Sequence, residues 1–156
     1  MPPIDSRHFR NVLGHFLTGV TVVTVRDGRD VHGMTANAFT SVSLDPPLVL
    51  LCVGKRARLH AWLGPQARFG VSVLGEAQAP LSNLFAGYPA PDTQVVFEES
   101  FGATPVISGA LAWLDCEVDN VVDAGDHTVV IGRVERAESH AGAPLAYYRG
   151  KYGALR

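Results

Sequence analysis

HGMTANAFTSVSLDPPLVLLCVGK, residues 32–55, sets a polar stretch of small residues between two hydrophobic runs. Gly33, Ala36 and Ala38 keep side-chain bulk low, while Thr35, Asn37, Thr40, Ser41 and Ser43 add hydroxyls and an amide beside backbone donors and acceptors. A loop of that composition suits a flat ligand rich in nitrogen and oxygen, read largely by main chain. Asp45-Pro46-Pro47 ends the polar segment, because each proline restricts the residue before it and removes a backbone donor. Residues 48–53 then read as a strand buried on both faces.

Working outward, residues 18–26 are rich in Val and Thr and break at Asp27-Gly28, so residues 31–36 return as a neighbouring strand. Upstream, Phe9, Val12, Leu13 and Phe16 fall at helical spacing over residues 6–16, with Asp5 or Ser6 as N-cap, and this helix is expected to lie against the sheet. Downstream come a short helix at residues 58–63, a strand at 68–74 and a helix at 79–86 ended by Gly87 and Pro89. Residues 88–105 read as irregular turns. Residues 110–122 and 128–137 close the sheet, and Ala124, Gly125 and Asp126 separate two β-branched runs as a hairpin with His127 at its mouth. Strands outnumber helices and tight turns join them, which predicts an antiparallel barrel rather than a doubly wound parallel sheet. No GxGxxG follows an early strand, which argues against a Rossmann site.

Composition bounds the function without choosing it. At 156 residues and 47% hydrophobic, the chain reads as a single domain, residues 1–156, able to bury a continuous core. Charged residues make up 18%, the formal net charge is -2 and the basic residues are scattered, so nucleic acid is not expected as a partner. The first residues lack an uninterrupted apolar core, Asp5, Arg7, His8 and Arg10 oppose membrane insertion, and no stretch reaches the roughly 20 apolar residues of a spanning helix. Only Cys52 and Cys116 are present, without a CxxC spacing, and the histidines show no ligand spacing, so a reduced, cytoplasmic, metal-free protein is expected. Trp62 and Trp113 sit among apolar neighbours and read as packing residues.

Three blocks in order, GMTANAFTSVSLDPPLVLLCV, GALAWLDCEVDNVVDAGDHTVVIGRV and PLAYYRGKYGAL, resemble the short-chain flavin reductase family. The resemblance runs over residues 9–155. It implies a mainly β fold, a six-stranded antiparallel Greek-key split β-barrel with a few flanking helices, assembled as a homodimer with flavin near the subunit interface. The activity implied is reduction of FMN or FAD by NADH or NADPH, with the reduced flavin released to a partner monooxygenase. Such chemistry is carried by two ring systems, so the protein needs to stack and orient them and requires no nucleophile or metal. Accordingly no catalytic side chain is assigned. The rival reading is a non-catalytic flavin- or haem-binding split-barrel carrier or sensor, and fold alone does not choose between them.

Residue by residue, the resemblance assigns Thr35, Ala36, Asn37, Ser41 and Val42 to the flavin ring and its sugar-phosphate arm. Cys52, Val53, Gly54, Lys55 and Arg58 fall where a strand runs into a helix and amides and cations face phosphate, and Ala86 approaches the flavin. His127, Tyr148 and Arg149 are assigned to the nicotinamide. One departure stands out: where the family commonly has a serine, then a basic residue and a threonine, this chain has Ala57, Arg58 and Leu59. Two hydroxyls are missing, and Lys55, Arg56 and Arg58 remain as charge.

Overall fold

In the computed structural model, which describes residues 1–155, the chain is mainly β. Its strands are β1 (Thr21–Asp27), β2 (Asp30–Ala36), β3 (Phe39–Leu44), β4 (Pro47–Gly54), β5 (Arg68–Val73), β6 (Phe97–Glu98), β7 (Val106–Ile107), β8 (Ala112–Ala124), β9 (His127–Ser139), β10 (Leu145–Tyr148) and β11 (Lys151–Ala154). Helices α1 (Ser6–Leu13) and α2 (Ala79–Phe85) and a 3-10 turn at Arg58–Trp62 flank them. Among the described residues, no helix is long and apolar enough to cross a membrane.

Seven strands, one more than expected, form an antiparallel sheet in the order β2-β1-β5-β8-β9-β4-β3. The terminal strands, β2 and β3, are joined by only Asn37 and Ala38, so the sheet must curl until its two edges almost meet. That is a barrel closed by covalent connection and split where β2 and β3 diverge. The Cys52 amide donates to Ala38 O at 3.0 Å, which pins the closure beside β4.

Two cores follow from the alternation of β1. Val23 and Val25 face the barrel interior with Leu51, Val53, Phe69, Val71, Cys116 and Val130. Val22, together with Val20, faces the opposite way, into a second cluster with Leu74, Ile107, Leu145 and the partly buried Phe85, Tyr147 and Tyr152. β1 is therefore the strand buried on both faces, not β4. In β4 only Val49, Leu51 and Val53 are buried, and Leu48, Leu50 and Cys52 are half-covered, because within one chain no layer lies over that side. Cys52 is thus on the outer face, while Cys116 is in the core.

Three further expectations are corrected. The polar stretch after Asn37 is not a loop: Phe39–Leu44 pairs with β4, with Val42 in a bulge between Ser41 and Ser43. Its Ser and Thr residues lie on a strand exposed to solvent, which removes the apolar signal by which strands are read. The opening helix is capped by Asp5, which accepts from the His8 amide at 2.8 Å, and it stops at Leu13 with Gly14 as C-cap, short of Phe16. None of its residues is buried. Phe9, Val12 and Phe16, at 48%, 52% and 77% exposure, present an outward apolar face.

Candidate functional site

The end of β4 organises the candidate site. Residues Cys52, Val53 and Gly54 pair with Val129, Thr128 and His127 of β9, and the Lys55 amide donates to Asp126 O at 3.0 Å. On its other side β4 meets Ala38 through Cys52. Two strand spacings of about 4.8 Å and a two-residue step along β4 put Ala38 and His127 about 12 Å apart, flanking the same strand end. Val53 is wholly buried, so only its backbone faces this end.

His127 follows a two-residue turn, Gly125-Asp126, in which Gly125 takes φ +64, a left-handed value that favours glycine. Its Nδ1 lies 2.7 Å from Asp126 Oδ1. That hydrogen bond, reinforced by the imidazole's charge, holds the exposed Asp126 carboxyl below its ordinary range, so it is ionised at neutral pH and favours a proton on Nδ1. Nε2 is then turned toward β4, 3.8 Å from where a Cβ on Gly54 would sit. Beside it, Lys55 Nζ is ion-paired to Asp123, and His60 Nε2 meets Thr128 Oγ1 at 2.8 Å, tying the 3-10 turn to β9.

A cleft of about 500 Å³ opens along the free edge of β2, lined by residues 31–34, 57–59 and 84–87. Arg58 and Ala86 both line it. Thr35, next along β2, is not among its lining residues: its hydroxyl donates to Ser82 O at 2.6 Å and so serves to fix α2. The room at Gly33 is likewise taken: a Cβ there would sit 2.4 Å from the Phe85 ring. Ala57 caps the 3-10 turn with extended backbone and no side-chain hydrogen bond, and Leu59 is a core residue. The two departures from the family pattern therefore remove a cap and a hydroxyl at the first position and add core packing at the second.

Asn37 lines a third region with Arg149 of the β10–β11 turn. Tyr148 lies in edge contact with His15, ring centroids 6.2 Å apart, and lines a further cavity that Arg149 also lines. Ser41 and Val42 are exposed on β3. The structure thus divides the assigned residues into three sets: Arg58 and Ala86 in the β2 cleft; Cys52, Gly54, Lys55 and His127 at the β4 end; Asn37 and Arg149 by α1. Sequence reading missed Arg10 and His32, which line two of these cavities. Each is an isolated polar residue in a regular element, without a local spacing to mark it.

A cavity of this size falls within the range of about 300–1,000 Å³ usual for cofactor sites. Its walls, apolar at Leu84, Phe85 and Met34 and cationic at Arg58, fit a flat ring with an anionic arm. Residues 13–156 match the model of the flavin reductase like domain. The chain belongs to the flavin reductase-like family. It is 43% identical over 99% of its length to an NADH-dependent flavin reductase of a Rhodococcus species, covering 89% of that protein. Among solved structures, the flavin reductase PheA2 in its native state superposes with a TM-score of 0.90 at 44% identity, over 98% of this chain and 99% of that one. The Streptomyces globisporus NADH:FAD oxidoreductase SgcE6, in complex with NAD and FAD fragments, gives 0.88 at 40% identity over 100% and 98%. Two other relatives are longer, and this flavin reductase-like chain spans about half (48%) of each.

Proposed function

We propose that this chain is an NAD(P)H-dependent flavin oxidoreductase that reduces FMN or FAD and passes the reduced flavin to a separate monooxygenase, working as a cytoplasmic homodimer. The observation that carries the reading is the placement of Ala38 and His127 on the two sides of the β4 end. Family membership supports catalysis over a carrier role, since relatives are named as NADH-dependent reductases and as reductase components of monooxygenases.

The chemistry supplied by the bound pair is transfer of a hydride from nicotinamide C4 to flavin N5. The chain's residues orient and enclose. The backbone of residues 35–38 and of Cys52 to Lys55 offers the flavin ring those hydrogen-bonding groups not already spent between Cys52 and Ala38, between Lys55 and Asp126 and in the pairing with β9. Arg56 and Arg58, in no ion pair among the described residues, supply cations for its phosphate, and Lys55 joins them by exchanging Asp123 for it. His127, held by Asp126, directs Nε2 to the nicotinamide side and moves no proton. The exposed apolar face of α1 and the half-covered outer face of β4 are the surfaces a second copy would bury.

Purified protein mixed with each pairing of NADH or NADPH with FMN or FAD tests the reading by loss of reduced-nicotinamide absorbance. Flavin-dependent turnover without any partner protein is the expected result. Flavin binding with no turnover in any pairing would make the protein a carrier.

A further inference from the structure

Helix α2 delivers Leu84, Phe85 and Ala86 to the β2 cleft, yet it is only seven residues long and its N-cap, Gln78, makes no side-chain hydrogen bond. A helix of two turns is marginal in water, so its position depends on what it is tied to. The ties converge on Ser82, which is wholly buried. Its carbonyl accepts from the Thr35 hydroxyl at 2.6 Å and from the Ala86 amide at 3.0 Å, so one oxygen joins β2 to a residue that lines the cleft. Its hydroxyl lies 2.7 Å from Tyr152 Oη, and Tyr152 Oη donates to Asn83 Oδ1 at 3.1 Å. Because the phenol has one proton and spends it on Asn83, Ser82 Oγ donates to Tyr152. A single phenol on β11 thus clasps two successive side chains of α2. The clasp is itself seated: the Tyr147 and Tyr152 ring centroids are 5.7 Å apart, and both rings pack on the same core cluster as Leu81 and Phe85 of α2. Tyr152 does not line the cleft, so whatever it does for a ligand there passes through α2.

We propose that Tyr152 is a positioning residue for the flavin: its hydroxyl holds α2 where Leu84, Phe85 and Ala86 close the cleft on the flavin's phosphate arm. The proposal rests on the reading of the β2 cleft, with Arg58, as the seat of that arm. Without the phenol hydroxyl, Ser82 keeps the Thr35 tie and α2 can pivot about it. A wall that has to be set in place at each binding event weakens binding, whereas a wall already in place does not. The reacting rings lie at the β4 end, away from this clasp, so the effect falls on flavin affinity and not on turnover.

The test compares the parent with Tyr152→Phe, the double variant Tyr152→Phe/Ser82→Ala and Arg58→Gln, reading FMN affinity by flavin fluorescence, the thermal midpoint, and kcat at saturating FMN and NADH. Tyr152→Phe is expected to bind FMN about fivefold more weakly, the loss of one hydrogen bond, with kcat at the parent value. Its thermal midpoint should fall, because the Ser82 hydroxyl is left buried without an acceptor. Adding Ser82→Ala removes that orphan, so the double variant should regain the parent's midpoint while FMN still binds about fivefold more weakly. A merely structural role would restore affinity together with the midpoint, and that result overturns the proposal. Parent-like FMN affinity in Tyr152→Phe beside weakened affinity in Arg58→Gln overturns the proposal and leaves the flavin in the cleft. Parent-like affinity in both overturns the reading of the cleft as well. A lowered kcat with FMN affinity retained overturns the proposal by moving Tyr152 to the chemical step. Should Tyr152→Phe not fold, the double variant, which has no orphaned hydroxyl, carries the same test.

Discussion

At the scale of single residues, the account gives His127 one task, presenting Nε2 toward the nicotinamide. His127→Ala is therefore expected to raise the KM for NADH about tenfold, the loss of one hydrogen bond of roughly 1–1.5 kcal/mol, while FMN affinity stays at the parent value; equal kinetics for variant and parent would remove the role. The Asp126 contact that sets the tautomer follows acid, not neutral pH. A carboxyl whose folded-state pKa is depressed contributes above its unfolded value and loses that contribution as pH falls through the folded one. The pairing is thus intact through the neutral range, and NMR of the His127 ring should show Nδ1 protonated there. Ala57 offers a gain-of-function counterpart. It already has the extended backbone of an N-cap and lacks only an acceptor, so Ala57→Ser is expected to stabilise the protein by about 0.5–1 kcal/mol, read as a higher thermal midpoint. The same hydroxyl adds a phosphate donor, so FMN should bind more tightly; a raised midpoint with unaltered FMN affinity would separate the capping role from the ligand role.

At the scale of elements, what could be read from sequence was what a local period or turn chemistry specifies. Asp27-Gly28 marked the β1–β2 hairpin and Gly125-Asp126 the β8–β9 hairpin, and in both cases the turn lies there because glycine takes φ near +60. β5 and α2 were bounded to within a residue because Gly and Pro frame them. β3 was not legible as a strand, since its neighbours rather than its own apolar residues hold it in the sheet. Residues 88–105 carry little regular structure, as expected, yet are ordered by distant partners: Thr24 Oγ1 donates to Pro105 O at 2.6 Å, Arg136 Nη1 to Phe101 O at 2.6 Å, and Phe101 is buried. No local pattern encodes contacts of that range. The site divides the same way. Lys55 and His127 could be placed because each adjoins a turn, whereas the meeting of Asn37 with Arg149 depends on how α1 and the last hairpin dock. For α1 itself, period revealed an apolar face, and only the structure revealed that its own chain leaves that face open. A second copy covering it predicts that Phe16→Asp shifts the protein from dimer to monomer in light scattering; an unchanged dimer would move the interface to another surface.

At the scale of the molecule, a sheet whose first and last strands are joined by two residues has no choice but to curl, and its split is where cofactor-sized space remains. The barrel is filled by Phe69, wholly buried and pressed against Gly132, where a Cβ would come within 2.4 Å of the ring. Phe69→Ala should cost about 3–5 kcal/mol, read from the denaturation midpoint, and a loss below about 1 kcal/mol would mean that the interior collapses around the cavity. That rigidity holds the β4 end between Ala38 and His127, and the account stands on this strand end. A crystal structure of the protein with oxidised FMN and NAD⁺ tests it most directly. The account predicts the two ring systems stacked over Cys52 to Lys55, with His127 Nε2 within hydrogen-bond distance of the nicotinamide; rings bound apart, or residues 35–42 and His127 facing different cavities of the assembled protein, would contradict it.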